Sequence, residues 1–143
     1  GSQKEKARVY EAPYTAIFSE LFSRGDAYEV LKARGQVNFT TTSFVRGLTF
    51  NDCIVIVDEC QNMTYHELDS VITRLGDNCR VIFCGDFRQS DFKWDDERAG
   101  IMNFMKIIKT MKSFDFVEFY KEDIVRSELV KEYIISKLNI GIV

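Results

Sequence analysis

Ile54-Val55-Ile56-Val57-Asp58-Glu59-Cys60-Gln61-Asn62 is the stretch that decides the fold. Four β-branched residues in a row suit a strand buried on both faces, as in a parallel sheet. The run stops at two acids. A second run, Val81-Ile82-Phe83-Cys84, repeats the pattern and ends in Gly85-Asp86. Between the runs, Thr64-Tyr65-His66-Glu67 is a capping box, so a helix is expected to start at Thr64. Leu68, Val71, Ile72 and Leu75 give that helix its apolar stripe, and Gly76 suits its end. A strand, a helix and a strand in this order predict a right-handed crossover and parallel pairing.

The flanking sequence extends the alternation. Ala16, Ile17, Leu21 and Phe22 recur at helical spacing after Pro13, the single proline, and Gly25-Asp26 breaks the stretch. Tyr28, Val30 and Leu31 predict a second short helix ending at Gly35. Val37, Phe39, Thr41 and Ser43 alternate like a strand, and Arg46-Gly47 turns the chain. Beyond Asp86 a polar loop is expected to about Arg98. A helix through Ile101, Phe104, Met105, Ile108 and Met111 follows, then a strand from Phe114 to Tyr120. The last helix is expected from Glu128 to Leu138, with Leu129, Val130, Tyr133, Ile134 and Leu138 inward. The fold class is therefore α/β, a mostly parallel sheet with flanking helices.

Composition fits one domain of ordinary globular type. The chain has 143 residues, 45% hydrophobic and 29% charged, which argues against disorder. A net charge of -3 exerts no global pull on nucleic acid. No apolar run is long enough to span a bilayer, so no membrane is expected. One His argues against a His-containing zinc site. Cys53, Cys60, Cys79 and Cys84 form no C-x-x-C and read as buried, reduced thiols of a cytoplasmic protein. Gly1-Ser2, with no Met, reads as the remnant of a cleaved tag, leaving residues 3–143 as one domain.

In a parallel sheet, ligands bind beyond the carboxyl ends of the strands. Asp58, Glu59 and Asp86 should all emerge at that edge. Clustered carboxylates repel, and a divalent cation or a water in need of a base would offset that repulsion. The alternative is that the acids only solvate loop starts. Gln61 and Gln89, each three residues beyond an acid, favour a functional site.

These residues carry a resemblance. Ile54 to Asn62 is similar to the Walker B segment of P-loop ATPases of the PhoH family, with Cys60 where Ala is usual. Phe44-Val45-Arg46-Gly47-Leu48-Thr49 resembles the family's Arg-Gly-Arg-Thr segment, with Leu48 replacing an Arg. Thr73-Arg74-Leu75-Gly76, Gly85-Asp86-Phe87-Arg88-Gln89 and Asp123-Ile124-Val125-Arg126 resemble its next three blocks, in order and spacing. The Gly-Asp-x-x-Gln block also resembles motif III of superfamily 1 helicases. The resemblance runs from about Glu11 to Leu138 and implies a RecA/helicase-like core that binds and hydrolyses ATP. Asp58 would hold Mg²⁺ through its water shell, and Glu59 would act as general base. Gln61 and Gln89 would sense the γ-phosphate or position the attacking water. Asp86 would belong to the nucleotide site. Arg126 would serve as a sensor or arginine finger, against the alternative of an ion pair with Glu122 or Asp123. Arg46 would contact phosphate or a neighbouring subunit, or simply sit in a turn. The implied partners are ATP, RNA or DNA, and further copies of the chain.

One part of the P-loop chemistry is missing from the sequence. None of the eight glycines is followed by Lys, so no G-x-x-x-x-G-K-[ST] phosphate cradle exists here. In the family that motif precedes the segment resembling Val9 to Phe22. The chain is therefore expected to be the carboxyl-terminal part of a longer ATPase, without its first strand and P-loop. Two other readings remain: a binding or assembly module without ATPase activity of its own, and a metal-dependent nuclease using Asp58, Glu59 and Asp86. Trp94 beside Lys93 could stack on a base, although such a residue more often caps a small core. Lys106, Lys109, Lys112 and Lys121 read as a solvated basic face, and His66 as exposed and inert.

Overall fold

The computed structural model describes residues 3–86 and 95–142. The chain divides into two compact units, residues 1–49 and 50–143. The first unit holds α1 (Gln3–Leu21) and α2 (Ala27–Ala33). Pro13 lies inside α1 rather than near its start. The two helices are joined through Tyr28, which is buried. Its hydroxyl donates to Glu11 Oε1 at 2.6 Å, and its ring meets Phe18 edge-on at 5.5 Å. Lys32 pairs with the same carboxylate. Partial burial pushes the Glu11 carboxyl up, but the bonds from Lys32 and Tyr28 outweigh it and hold the group below the usual carboxylate range. Val37 to Ser43 do not form the expected strand. They lead into a single 3₁₀ turn at Thr42–Phe44.

The second unit carries the sheet. β1 (Ile54–Val57) pairs in parallel with β2 (Arg80–Phe83), with Ile54 opposite Arg80 and Val57 opposite Phe83. α3 (Tyr65–Ile72) makes the connection. Its capping box forms as expected: Glu67 N donates to Thr64 Oγ1 at 3.3 Å, and Thr64 N donates to Glu67 Oε2 at 2.8 Å. The helix ends at Ile72, earlier than Leu75-Gly76 suggested. The Thr73 hydroxyl turns back to Asp69 O at 2.7 Å. The next residues leave the helix to pair with Phe50: Phe50 N donates to Arg74 O at 2.9 Å, and Gly76 N donates to Phe50 O at 2.7 Å.

α4 (Asp95–Lys109) begins where a polar loop was expected. It sends Ile101, Phe104 and Ile108 into the core with Val57, Leu68 and Val71. Phe83 of β2 meets the Phe104 ring at 5.2 Å and the Phe114 ring at 6.3 Å. Beyond a 3₁₀ turn at Lys121–Asp123 comes α5 (Glu128–Asn139).

Three expectations change here. Phe114 to Tyr120 forms no strand, because no described neighbour offers it a ladder; Tyr120 N is bound instead by Asp123 Oδ2 at 2.8 Å. β1 is buried on one face only: Ile54 and Ile56 are each 64% exposed, and Ile82 beside them on β2 is 49% exposed. Leu129, Tyr133 and Leu138 of α5, expected inward, lie exposed. Each element has the predicted apolar residues, but no described element covers that side. Among the described residues no helix is long and apolar enough to cross a membrane.

Candidate active site

Parallel pairing brings the segments after β1 and β2 out at the same edge. The ladder continues past both strands: Cys84 N donates to Val57 O at 2.8 Å, and Cys60 N donates to Cys84 O at 2.9 Å. This ties the Asp58–Gln61 segment to the Gly85-Asp86 segment. Asp58 is exposed at the strand end, and its Oδ1 accepts from Glu59 N at 3.0 Å.

Glu59 then reverses the chain. It stands in the left-handed region, φ 52° and ψ 38°, which costs a residue with a Cβ about 1–2 kcal/mol. A single 3₁₀ turn, Cys60–Asn62, follows, closed by Asn62 N donating to Glu59 O at 3.0 Å. The reversal drives the Cys60 side chain into the core and folds Gln61 back over the sheet edge. Both are only 3% exposed. Gln61 Nε2 donates to Glu59 Oε2 at 2.5 Å, and Gln61 Oε1 accepts from Asp86 N at 3.2 Å. One buried amide therefore holds the Glu59 carboxylate and the Asp86 backbone together.

Burial first, then Cys84 and the acids Asp58 and Glu59, pushes the Cys60 thiol up to about 11. Burial and Asp58 push Cys84 up as well. Both shifts disfavour the thiolate at these two positions. Cys60 is buried as expected; Cys53, Cys79 and Cys84 are half-buried, and all four are free thiols.

The structure adds Gly85 to the site. A Cβ there would stand 2.6 Å from Gln61 Oε1 and 2.8 Å from Cys60 Sγ, closer than such contacts ever come. The glycine lets the Asp86 amide reach Gln61. Its sequence signals were its place between a strand and an acid and its position at the head of the Gly85-Asp86-Phe87-Arg88-Gln89 block.

Asp58, Glu59, Gln61 and Asp86 are thus brought together. Arg126 is exposed between the Lys121–Asp123 turn and α5, and the ion pairs among the described residues, Arg24–Asp26 and Lys32–Glu11, leave it out. Arg46 is exposed in the first unit, just before Gly47, whose φ is 86°. Gln89 and Trp94 lie outside the described residues. Among the described residues, no three His, Cys, Asp or Glu side chains are placed to hold a metal ion. The direct three-carboxylate site of the nuclease reading is therefore not formed there. An exposed carboxylate at a strand end, as Asp58 is, suits a cation held through water.

Known proteins resemble this chain over most of its length. Residues 1–137 match the sequence profile of the family described as PhoH-like protein. The chain is similar to the PhoH-like protein of Bacillus subtilis, 32% identical over 94% of this chain and 41% of the relative. It is similar to the PhoH-like protein of Synechocystis, 30% identical over 94% of this chain and 40% of the relative. It is also similar to Protein PhoH of Escherichia coli, 32% identical over 90% and 36%. The chain thus spans about two fifths of the length of the relatives it matches.

Proposed function

The chain belongs to the PhoH-like protein family, a family of P-loop NTPases, and from that premise we propose that it carries the water-activating half of an ATP-hydrolysing site. The observation that supports the reading best is the Gln61 bridge, which holds a carboxylate in a strained but fixed position at the shared carboxyl edge of two parallel strands.

In this proposal Asp58 would hold Mg²⁺ through its water shell, and when bound the cation would supply positive charge beside the nucleotide phosphates. Glu59 takes the proton from the attacking water. Gln61 positions Glu59 rather than sensing phosphate, because both ends of its amide are engaged within the protein. Asp86 belongs to the nucleotide site, Gln89 senses the γ-phosphate or positions the attacking water, Arg126 stabilises charge on the transferring phosphoryl group, and Arg46 meets phosphate or a neighbouring copy. The phosphate cradle has no counterpart in this sequence, so the complete reaction belongs to the longer protein. Coupling to RNA or DNA remodelling in the cytoplasm draws support from the helicase-like Gly85-Asp86-x-x-Gln89 block and from the exposed Lys106 and Lys109 of α4.

The test is phosphate release from Mg²⁺-ATP by the longer protein. Glu59→Gln should leave nucleotide binding in place and slow hydrolysis about 10²–10⁴-fold. Asp58→Asn should weaken Mg²⁺-dependent binding as well. Parental rates in both variants would overturn the assignment.

A further inference from the structure

At the opposite end of the sheet from the acids, Cys53 Sγ and Cys79 Sγ stand 3.6 Å apart. The two residues directly precede the register pair Ile54–Arg80, so they oppose each other across the ladder. Their backbones are already joined, since Arg80 N donates to Cys53 O at 3.1 Å. Opposed residues of adjacent strands lie about 4.8 Å apart, inside the range of roughly 4.4–6.8 Å between Cα atoms that a disulfide spans. Side-chain rotation alone can close the remaining gap. Both side chains are half-buried, so a small reagent can reach them.

The surroundings hold the pair in place. Asp52 N donates to Asp77 O at 3.0 Å, Asn78 Nδ2 to Asp52 Oδ1 at 3.0 Å, and Asp77 N to Asn51 Oδ1 at 2.9 Å. Cys79 Sγ donates to Phe50 O at 2.9 Å. These contacts fix the two chain segments side by side without the sulfurs being bonded.

We propose that Cys53 and Cys79 are a reversible dithiol–disulfide pair, oxidised by a low-molecular-weight disulfide and clasping β1 to β2 at their amino ends. One cysteine thiolate attacks a sulfur of the oxidant and releases one small thiol. The second cysteine thiolate then attacks the first cysteine's sulfur in that mixed disulfide and releases the other small thiol. The protein loses two electrons and two protons; the oxidant's S–S bond breaks and gains both. The new bond closes a loop that contains α3 and the whole Asp58–Gln61 turn. Oxidation therefore restrains the segment carrying Asp58 and Glu59 without touching them.

The experiment exposes the reduced full chain to glutathione disulfide at graded ratios to glutathione. Intact mass should fall by about 2 Da, and two thiols should become resistant to alkylation. Trypsin should release residues 47–74 joined to residues 75–80, and Cys53→Ser should abolish that link. Reduction should restore all four thiols. The oxidised chain should melt about 5–10 °C higher, because the crosslink restrains the unfolded state. A link from residues 47–74 to residues 81–88 would assign the reactivity to Cys84 and overturn the proposal. Persistence of the link in Cys53→Ser would overturn it by assigning Cys60. Stable glutathione adducts without an internal bond, or a lower melting temperature on oxidation, would overturn it too. The peptide map of the parent chain decides the matter even if a variant folds poorly.

Discussion

Replacing Gln61 with Leu separates a positioning role from a sensing one. The substitution keeps most of the volume and removes both amide hydrogen bonds. The bond to the Glu59 carboxylate is of the charge-assisted kind, worth about 1.5–3 kcal/mol net, and the bond from Asp86 N is worth about 1 kcal/mol. Glu59 is exposed, so water replaces much of the first loss. The Asp86 amide is part-buried beneath the Gln61 side chain, so its loss is replaced less fully. The net destabilisation should be about 2 kcal/mol. With a urea m-value of about 2 kcal/mol/M, the unfolding midpoint should fall by about 1 M, with m unchanged. Far-UV circular dichroism during urea titration of the chain measures this. Phosphate release by the longer protein carrying the same change supplies the second readout, and it should fall because Glu59 is no longer held. A side chain that only senses γ-phosphate would leave the urea midpoint where it is. A midpoint within about 0.2 M of the parent, together with lost turnover, would refute the positioning argument.

Two other substitutions test the proposed site. Gly85→Ala forces a Cβ against Gln61 Oε1 and Cys60 Sγ, and the chain should lose about 1–3 kcal/mol in urea unfolding; a neutral outcome would show that the two loops are not packed as described. Arg126 is exposed and outside the ion pairs of the described residues, so Arg126→Ala should leave the melting temperature unchanged while turnover of the longer protein falls about 10³–10⁵-fold. Full activity would remove Arg126 from the reaction, and a lower melting temperature would give it a structural role.

Local signals in this sequence were legible because their physics is local. The Thr64 capping box needs four residues and formed as read. The two apolar runs paired in parallel because a capped helix between them leaves little choice. The strands expected at 37–43 and 114–120 were not legible in the same way, since a strand exists only when a neighbour accepts its hydrogen bonds. The two-faced burial expected of Ile54 and Ile56 failed for a related reason. β-branching reports suitability for a sheet interior, whereas exposure depends on what lies across the face. Leu129 and Tyr133 repeat the lesson on a helix.

The site shows a finer limit, and it lies in one backbone angle. Sequence places Asp58, Glu59, Gln61 and Asp86 near one edge, but spacing alone does not show that Gln61 turns inward to serve Glu59. The left-handed backbone at Glu59 causes that turn, and nothing in an acidic residue announces it. A glycine would adopt the angle without cost, yet it would remove the carboxylate. Keeping Glu there implies that the strain is offset by the Cys60–Cys84 and Gln61–Asp86 bonds. Comparing Glu59→Gly with Glu59→Ala isolates the strain, because both variants lose the same carboxylate and the same bond from Gln61. Alanine keeps the Cβ that crowds the left-handed region, and glycine does not. Glycine also gains more freedom in the unfolded chain, which reduces its advantage by a few tenths of a kcal/mol. Glu59→Gly should therefore unfold at a higher urea concentration than Glu59→Ala, by about 0.5–1 kcal/mol in stability. Equal midpoints would mean that Glu59 relaxes out of the left-handed conformation. Its carboxylate would then not be held by the backbone at all, and the Gln61 bridge alone would have to fix its position.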